Sequence, residues 1–276
     1  MVATSPRLGI LAGGGDLPAR VVEVCRLSGR DPFVLAFEGH TEPATVTGVD
    51  HAWARLGDGT RALTTLRRAG VEELLMVGPI PRPSLSDLRP DLRTAKFLTK
   101  VVANGLGDDG LLSAVISALE DEGFRVIGVD DVVADLIAPA GPYGALAPDP
   151  QAEGDIARGV QVARALGAVD VGQSVVVQQG HVLGVEAAEG TDALLARCAD
   201  LRRSGPGGVL VKLKKPGQEV RVDLPTIGLR TVQGASAAGL RGIAVEAGGS
   251  LVIDRAGVAA AADAAGLFVI GLQVPA

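Results

Sequence analysis

Short apolar runs alternate with stretches of helical period through the first half of the chain. The runs have the length and the Leu, Val and Ile content of buried strands. They cover residues 7–12, 32–37, 52–54, 73–77 and 125–129. Helical patterns lie after the first run, over residues 59–69 and over residues 111–122. This alternation predicts a Rossmann-like parallel sheet, with right-handed crossovers and helices on both faces.

The second half follows residues 137–150, which are dense in Pro and Gly and predict a linker. An amphipathic helix is predicted over residues 152–166, and further helices over 191–202 and 255–265. Strands are predicted over residues 174–178, 182–187, 209–213, 220–223, 243–246, 251–254 and 267–270. We therefore expect an α/β protein of two domains. A Rossmann-like domain would cover residues 1–136, and an α/β domain with a mixed sheet residues 151–276.

Charge and cysteine content narrow the function classes. The net charge of −6 argues against a nucleic-acid-binding surface, which would need clustered positive charge. Cys25 and Cys198 are far apart in sequence and predict two buried free thiols in a reducing compartment. The first residues carry no apolar signal region, and no run is long enough to cross a bilayer. We therefore expect a soluble, cytoplasmic protein.

A glycine turn joins the first predicted strand to the first helix. Its candidate substrate-binding residues are Gly13, Gly14, Gly15, Asp16 and Leu17, because amides at a helix start can bind phosphate or another anion. The spacing is not that of the dinucleotide fingerprint G-x-G-x-x-G, and Asp16 would repel an adjacent phosphate. The alternative is a tight turn that needs glycine only for its backbone conformation.

A long proline-rich loop over residues 78–91 follows the strand predicted over residues 73–77. The carboxyl ends of strands are where open α/β sheets bind ligands. Arg82 and Arg89 are candidates for pairing with phosphate oxygens, and Ser84 and Ser86 for donating hydrogen bonds. A solvated, proline-stiffened connection is the alternative, but the length of the loop and its number of donors favour binding.

Three carboxylates lie where a predicted strand gives way to a helix, at Glu186, Glu189 and Asp192. They repel one another unless a cation or hydrogen-bond donors compensate their charge. Oxygen-rich sites of this kind suit Mg²⁺ or Mn²⁺. Alternatively, Glu189 and Asp192 cap the helix and complement its dipole.

A basic segment lies over residues 212–215. Lys212 and Lys215 are candidates for binding a diphosphate, and Gln173 flanks the same strands. The alternative for the lysines is a charged, solvated turn.

Asp223 ends the strand predicted over residues 220–223, shortly before Pro225, which cannot continue a sheet ladder. A carboxylate at such a strand end is held rigidly and faces a cleft. Asp223 is therefore a candidate metal ligand or general base, and Thr226 in the same loop is a candidate for substrate binding. An N-cap, or an Asx turn that merely ends the strand, is the alternative for Asp223.

Several of these segments occur together in one family. They are residues 12–18, 82–91, 170–173, 186–192 and 222–228. In this order, and over nearly the whole chain, they resemble the I-type UDP-2,3-diacylglucosamine pyrophosphatases of lipid A biosynthesis. The segments over residues 186–192 and 222–228 are the most specific, whereas the glycine turn alone would be unspecific.

The resemblance implies a metal-dependent hydrolase that favours Mg²⁺, with Mn²⁺ as an alternative. Its reaction would cleave the diphosphate of UDP-2,3-diacylglucosamine to UMP and 2,3-diacylglucosamine 1-phosphate (lipid X). Asp223 would be needed for activity, and would hold the ion with part of the cluster of Glu186, Glu189 and Asp192. The resemblance also implies that the ligand lies between a Rossmann-like domain and a differently folded C-terminal domain.

Further expectations concern the reaction and the partners. The resemblance implies that water attacks the sugar-side phosphorus, with UMP as the leaving group, whereas the chemistry of the residues alone leaves the choice between the two phosphorus atoms open. The substrate is a lipid-linked nucleotide sugar, and its two acyl chains lead us to expect peripheral association with the cytoplasmic face of the inner membrane. A homodimer is also expected.

Two other functions remain open on the residues alone. The glycine turn suggests an NAD(P)-dependent oxidoreductase, with Glu38 available as the acidic ribose partner near the end of the second strand. A nonenzymatic nucleotide-binding regulator is the other. Cofactor titration tests the first, and the activity of an Asp223→Ala variant tests the second.

Overall fold

The computed structural model describes residues 6–80, 88–103, 108–217, 219, 221–222 and 224–274, with the backbone alone at residues 100–103, 108 and 109. The chain divides into two compact units. The first contains Met1–Ala134 and the short segment Glu219–Val222, and the second contains Asp135–Gln218 and Asp223–Ala276.

The first unit is built on a parallel sheet. Its strands are β1 Leu8–Ala12, β2 Phe33–Phe37, β3 Asp50–Ala54, β4 Glu73–Val77 and β5 Arg125–Ile127. They are arranged in the order β3-β2-β1-β4-β5, and every neighbouring pair is parallel. This is the Rossmann-like sheet that the alternation of apolar runs and helical patterns predicted.

Both faces of this sheet are covered. The helices of the unit are α1 Leu17–Leu27, α2 Gly59–Arg68, α3 Leu92–Ala103 and α4 Asp108–Asp121. Leu11, Leu35 and Leu74 share a buried cluster with Leu66 of α2 and Ile116 of α4. Side chains alternate between the faces of a strand. The intervening positions of β1, β2 and β4 are buried as well, so both faces of the sheet are covered.

Asp91 caps two helices at once. Its Oδ1 accepts a hydrogen bond from the Thr94 amide at 2.7 Å, and its Oδ2 accepts one from the Thr60 amide at 2.8 Å. Burial by itself raises the pKa of Asp91, but the hydrogen bonds from Thr94 and Thr60 outweigh it and leave the pKa well below its usual value. This cap explains where α3 begins, a helix that the sequence pattern did not predict.

The second unit contains a mixed sheet and a small parallel one. Its strands are β6 Gly141–Pro142, β7 Ser174–Gln178, β8 His181–Val185, β9 Val209–Lys212, β10 Thr226–Ile227, β11 Gly242–Glu246, β12 Leu251–Val252 and β13 Phe268–Leu272. The larger sheet has the order β6-β13-β11-β9-β7-β8, and β10 pairs with β12. Strands β9, β11 and β13 are parallel, whereas β6, β7 and β8 run antiparallel to their neighbours. The predicted mixed sheet is confirmed, and β6 lies within the predicted linker.

Helices pack on both faces of the mixed sheet. They are α5 Pro150–Ala168, α6 Gly190–Asp200, α7 Leu229–Ala237 and α8 Arg255–Ala264. Helix α5 approaches β9 closely at Gly159. A Cβ at this position would lie only 2.4 Å from the Val211 side chain. The other face shares a core with α6, α7 and α8 through Leu194, Val232 and Val258.

Two details of the second half differ from the sequence prediction. Helix α7 was not predicted, because Gly234 lowers its helix propensity and its stability comes from packing Val232 into the core. The strand predicted over residues 220–223 is wrong at Arg221 and Val222, which form a turn. The Val222 amide donates to the Glu219 carbonyl at 3.2 Å and closes that turn. Asp223 itself lies outside the described residues.

Both cysteines are buried and unpaired, as predicted, and burial raises the pKa of each thiol. In the part of the chain that the structure describes, no helix has the length and apolar character needed to cross a membrane.

We expect Asp91→Ala to lower the free energy of unfolding by about 1–2 kcal/mol at neutral pH, because two helix starts lose their capping acceptor. Folding lowers the pKa of Asp91. The stabilisation by its carboxylate is therefore complete above the pKa of an unfolded aspartate, about 4, and is lost as the pH falls below it. The difference between wild type and variant, measured by urea denaturation, should shrink as the pH is lowered to about 3.

Asp121→Ala is the matched control, because Asp121 is exposed at the end of α4. It should change the stability by less than about 0.5 kcal/mol. An equal loss in both variants would contradict the capping role of Asp91.

Candidate functional site

A buried polar cluster lies at the carboxyl end of β9. Lys212, the last residue of this strand, is 6% exposed, as is Glu186. The Lys212 Nζ donates to Thr191 Oγ1 at 2.6 Å, and the Thr191 hydroxyl donates to Glu186 Oε1 at 2.7 Å. The Ser174 hydroxyl is 3.3 Å from Thr191 Oγ1. We name Lys212, Thr191 and Glu186 the lysine relay.

The chain before β7 fixes the carboxylate of the relay. The Gln173 amide donates to Glu186 Oε2 at 3.3 Å, and the Glu186 amide donates to the Ser174 carbonyl at 2.8 Å. A Cβ at Gly172 would lie 2.0 Å from the Glu186 carbonyl oxygen, so only glycine permits this approach. The side-chain oxygen of Gln173 is buried and has no hydrogen-bond partner among the described residues. Of the predicted site residues, Gln173, Glu186 and Lys212 are therefore brought together through main-chain or side-chain contacts.

The other two predicted acidic ligands are paired with arginines. Glu189 Oε1 is 2.9 Å from Arg197 Nη2, and hydrogen bonds from its own amide and from Arg197 lower the pKa of Glu189. Asp192 Oδ2 is 2.6 Å from Arg230 Nη2, and both side chains are exposed. Over the residues that the structure describes, no group of three or more His, Cys, Asp or Glu side chains could hold a metal ion. The acidic cluster is therefore not gathered around one point, and a site that includes Asp223 stays a prediction.

The neighbouring lysines have partners of their own. Lys214 Nζ is 3.6 Å from Glu246 Oε1, and Lys215 Nζ is 2.5 Å from Asp170 Oδ1. Lys212 donates to Thr191 and belongs to the lysine relay. The binding role predicted for Lys215 stays a prediction.

The glycine turn packs its backbone against the chain that follows β4. The Gly13 amide donates to the Val77 carbonyl at 2.8 Å, and the Gly14 amide donates to the Pro79 carbonyl at 2.9 Å. Strands β1 and β4 are the neighbours at which the strand order reverses, the position where open α/β sheets bind ligands. Because these two amides are engaged, anion binding here would depend on the first amides of α1, which have no acceptor within the helix.

The remaining candidate residues of the glycine turn and of the proline-rich loop are Asp16, Arg82, Ser84, Ser86 and Arg89. Asp16 is exposed and makes no capping hydrogen bond to α1, although it occupies the N-cap position. Arg82, Ser84 and Ser86 lie outside the described residues. Arg89 is exposed, with a positive φ of 39°. In the second unit, the Thr226 hydroxyl donates to the Leu224 carbonyl at 3.1 Å.

Arg221 holds the segment Glu219–Val222 within the first unit. Its Nη1 is 2.7 Å from Glu120 Oε1, and its Nη2 is 2.9 Å from Glu219 Oε2. Hydrogen bonds from Arg221 lower the pKa of Glu219, and those to Glu219 and Glu120 raise the pKa of Arg221. Val222 packs against the same hydrophobic cluster as Leu11. The residues that directly precede Asp223 in sequence are therefore anchored.

Comparisons with known proteins cover nearly the whole chain. The model described as the LpxI N-terminal domain matches residues 7–136, and the model of the LpxI C-terminal domain matches residues 139–270. A relative from Caulobacter vibrioides, the UDP-2,3-diacylglucosamine pyrophosphatase LpxI, is 42% identical over 276 residues. The alignment covers 97% of this chain and 98% of that protein. The chain belongs to the LpxI family.

In this member of the LpxI family, several side-chain contacts near the candidate site have little or no signal in the sequence. Thr191 begins a predicted helix and lies in the segment over residues 186–192, but nothing in its spacing from Lys212 indicates a contact. Glu120 and Arg221 are separated by a long stretch of chain, so their ion pair carries no local signal. Asp91 ends the segment over residues 82–91, and its position directly before the helix over residues 92–103 is a sequence signal for a cap.

We expect Glu120→Gln to loosen the segment Glu219–Val222, because the ion pair to Arg221 is lost. An exposed ion pair contributes at most about 1 kcal/mol, so deuterium uptake in a peptide over residues 214–226 should rise by up to about fivefold. Hydrogen exchange followed by mass spectrometry measures this.

Glu122→Gln is the control, since Glu122 pairs with Arg67 and Arg93 instead. It should leave the uptake of that peptide unchanged. A similar rise in both variants would show that general loosening of the unit, and not the Glu120 contact, controls the segment.

Proposed function

We propose that this chain hydrolyses the diphosphate of UDP-2,3-diacylglucosamine, with UMP and 2,3-diacylglucosamine 1-phosphate as products, in lipid A biosynthesis. The observation that carries the proposal is the 42% identity, over nearly the full length of both chains, to a relative named UDP-2,3-diacylglucosamine pyrophosphatase. This match favours a hydrolase over the NAD(P)-dependent oxidoreductase and the nonenzymatic regulator.

The described residues suit an anionic substrate at particular points. The start of α1 follows β1 at the point where the strand order reverses, and the amides of a helix start favour a phosphate. In the second unit, the Lys212 ammonium lies at the carboxyl end of β9. Phosphoryl transfer depends mostly on positioning and charge stabilisation, which are the contributions that such groups supply.

Asp223 is proposed as the essential carboxylate. Its assignment rests on the resemblance of residues 222–228 to the family segment. The support from described residues is the anchoring of Arg221 and Val222, which directly precede Asp223 in sequence. A carboxylate that must act on a reacting group needs such a fixed backbone.

Dependence on Mg²⁺, with Mn²⁺ as an alternative, is part of the proposal. The described residues do not fit a complete metal site, because Glu189 and Asp192 are paired with arginines and Glu186 accepts hydrogen bonds from Thr191 and Gln173. A bound ion would therefore rely on Asp223 and on oxygens of the substrate. When bound, it would neutralise the charge of the diphosphate.

We expect Asp223→Asn to lower kcat by at least about 1,000-fold, the scale seen when one essential polar group of an active site is removed. Hydrolysis of the purified substrate, followed by mass spectrometry of UMP and the sugar phosphate, measures this. Chelation by EDTA should abolish the activity and added Mg²⁺ restore it.

Asp200→Asn is the matched control, since Asp200 is exposed at the end of α6. It should retain the wild-type kcat. Full activity of Asp223→Asn would remove the proposed role of that carboxylate, and absence of UMP from the wild-type reaction would remove the proposed function.

Attack at the sugar-side phosphorus is the proposed course of the reaction. In ¹⁸O-water the label should then appear in 2,3-diacylglucosamine 1-phosphate and not in UMP. Label in UMP would show attack at the other phosphorus.

Peripheral membrane association and a homodimer complete the proposal. The two acyl chains of the substrate support the first, and flotation with vesicles of anionic phospholipid tests it. Light scattering after size-exclusion chromatography tests the homodimer.

A further inference from the structure

Lys212 is a buried cation whose charge must be compensated. It is 6% exposed, and a buried ammonium is stable only when hydrogen bonds and an opposite charge replace its hydration. Its Nζ donates to Thr191 Oγ1 at 2.6 Å. The Thr191 hydroxyl is therefore one of the groups that hold the ammonium in place.

Thr191 connects the cation to a buried anion. A hydroxyl has one proton to donate and two lone pairs that accept. Here the proton goes to Glu186 Oε1 at 2.7 Å, and a lone pair accepts from Lys212. The hydrogen bonds therefore run in one direction, from the ammonium through the hydroxyl to the carboxylate.

Glu186 fits the role of counter-charge better than that of metal ligand. Both of its oxygens accept from the protein, Oε1 from the Thr191 hydroxyl and Oε2 from the Gln173 amide. Its candidate partners in a metal site, Glu189 and Asp192, are paired with Arg197 and Arg230. Glu186 is also buried as deeply as Lys212.

The position of the relay favours an additional anion. Lys212 ends β9, which lies next to the parallel strand β11, and Thr191 lies in the first turn of α6. The start of a helix carries partial positive charge. Lys212 and this helix start therefore place positive charge at the carboxyl end of β9, beside the carboxylate of Glu186.

We infer that the lysine relay holds the Lys212 ammonium against the diphosphate of the substrate, with Thr191 as a positioning residue and Glu186 supporting the lysine rather than binding the metal. The inference rests on the proposed hydrolysis. It assigns the charge stabilisation of the phosphoryl group in part to this ammonium.

Two substitutions of Thr191 test the relay. Thr191→Val keeps the shape and removes the hydroxyl, whereas Thr191→Ser keeps the hydroxyl. We expect Thr191→Val to lower kcat by about 10- to 100-fold with KM changed by less than about threefold, the scale of a small misplacement of a catalytic group. Thr191→Ser should retain kcat within about threefold of wild type. Equal kcat values for the two variants would overturn the relay.

A matched control separates positioning from stability. Thr231 is a buried threonine in the first turn of another helix of the same unit, whereas Thr191 is half-buried, and the Thr231 Oγ1 accepts from the Gly228 amide at 3.3 Å. Thr231→Val should lower the thermal midpoint without lowering kcat, when kcat is measured well below that midpoint. A loss of kcat in Thr231→Val equal to that in Thr191→Val would also overturn the relay.

Glu186→Gln distinguishes the counter-charge from a metal ligand. Binding of Mn²⁺ in the presence of UMP, followed by electron paramagnetic resonance, should be unchanged in this variant, while kcat falls. A tenfold weaker binding of Mn²⁺ would overturn the assignment of Glu186. If wild type hydrolyses the substrate but the variants give the overturning results described above, the relay fails and the proposed function stands. If wild type produces no UMP, both fail.

Discussion

The burial of strands on both faces is the constraint from which the rest of the structure follows. In the first unit β1 is buried along its whole length, and in the second unit β7 and β9 are buried throughout. Polar side chains within such strands would need partners in the core. The candidate binding groups therefore lie where strands end, at the turn after β1, the chain after β4 and Lys212 at the end of β9.

Buried charge serves different purposes at different strand ends. Glu73, at the beginning of β4, is buried and paired with Arg30 and Arg125. It closes the amino edge of the first sheet, where such a pair has a structural role. Lys212 lies at a carboxyl end instead, and the Thr191 hydroxyl links its ammonium to the Glu186 carboxylate. The buried charge of Lys212 must be compensated as that of Glu73 is. The result is a cation held at the carboxyl end of a strand, where α/β sheets bind ligands.

A net charge of −6 does not prevent the chain from binding an anionic diphosphate. Charges interact mainly over short distances at physiological ionic strength. Arg197 and Arg230 offset Glu189 and Asp192, so the acidic segment contributes less negative charge to its surroundings than its sequence suggests. The local balance around Lys212 and the start of α6, and not the total charge, is what a diphosphate would meet.

The sequence by itself determined the alternation of strands and helices, the parallel sheet of the first unit and the mixed sheet of the second. Strands β4 and β7 have the predicted limits, because apolar period and burial are local properties. The family was also visible in short segments. Tertiary structure decided which side chains meet: Thr191 with Lys212, Arg221 with Glu120, and Asp91 with two helix starts. It also replaced the strand expected at Arg221 and Val222 by a turn and formed α7 despite its glycine. These outcomes depend on contacts between residues far apart in the chain, and no local pattern encodes their distances.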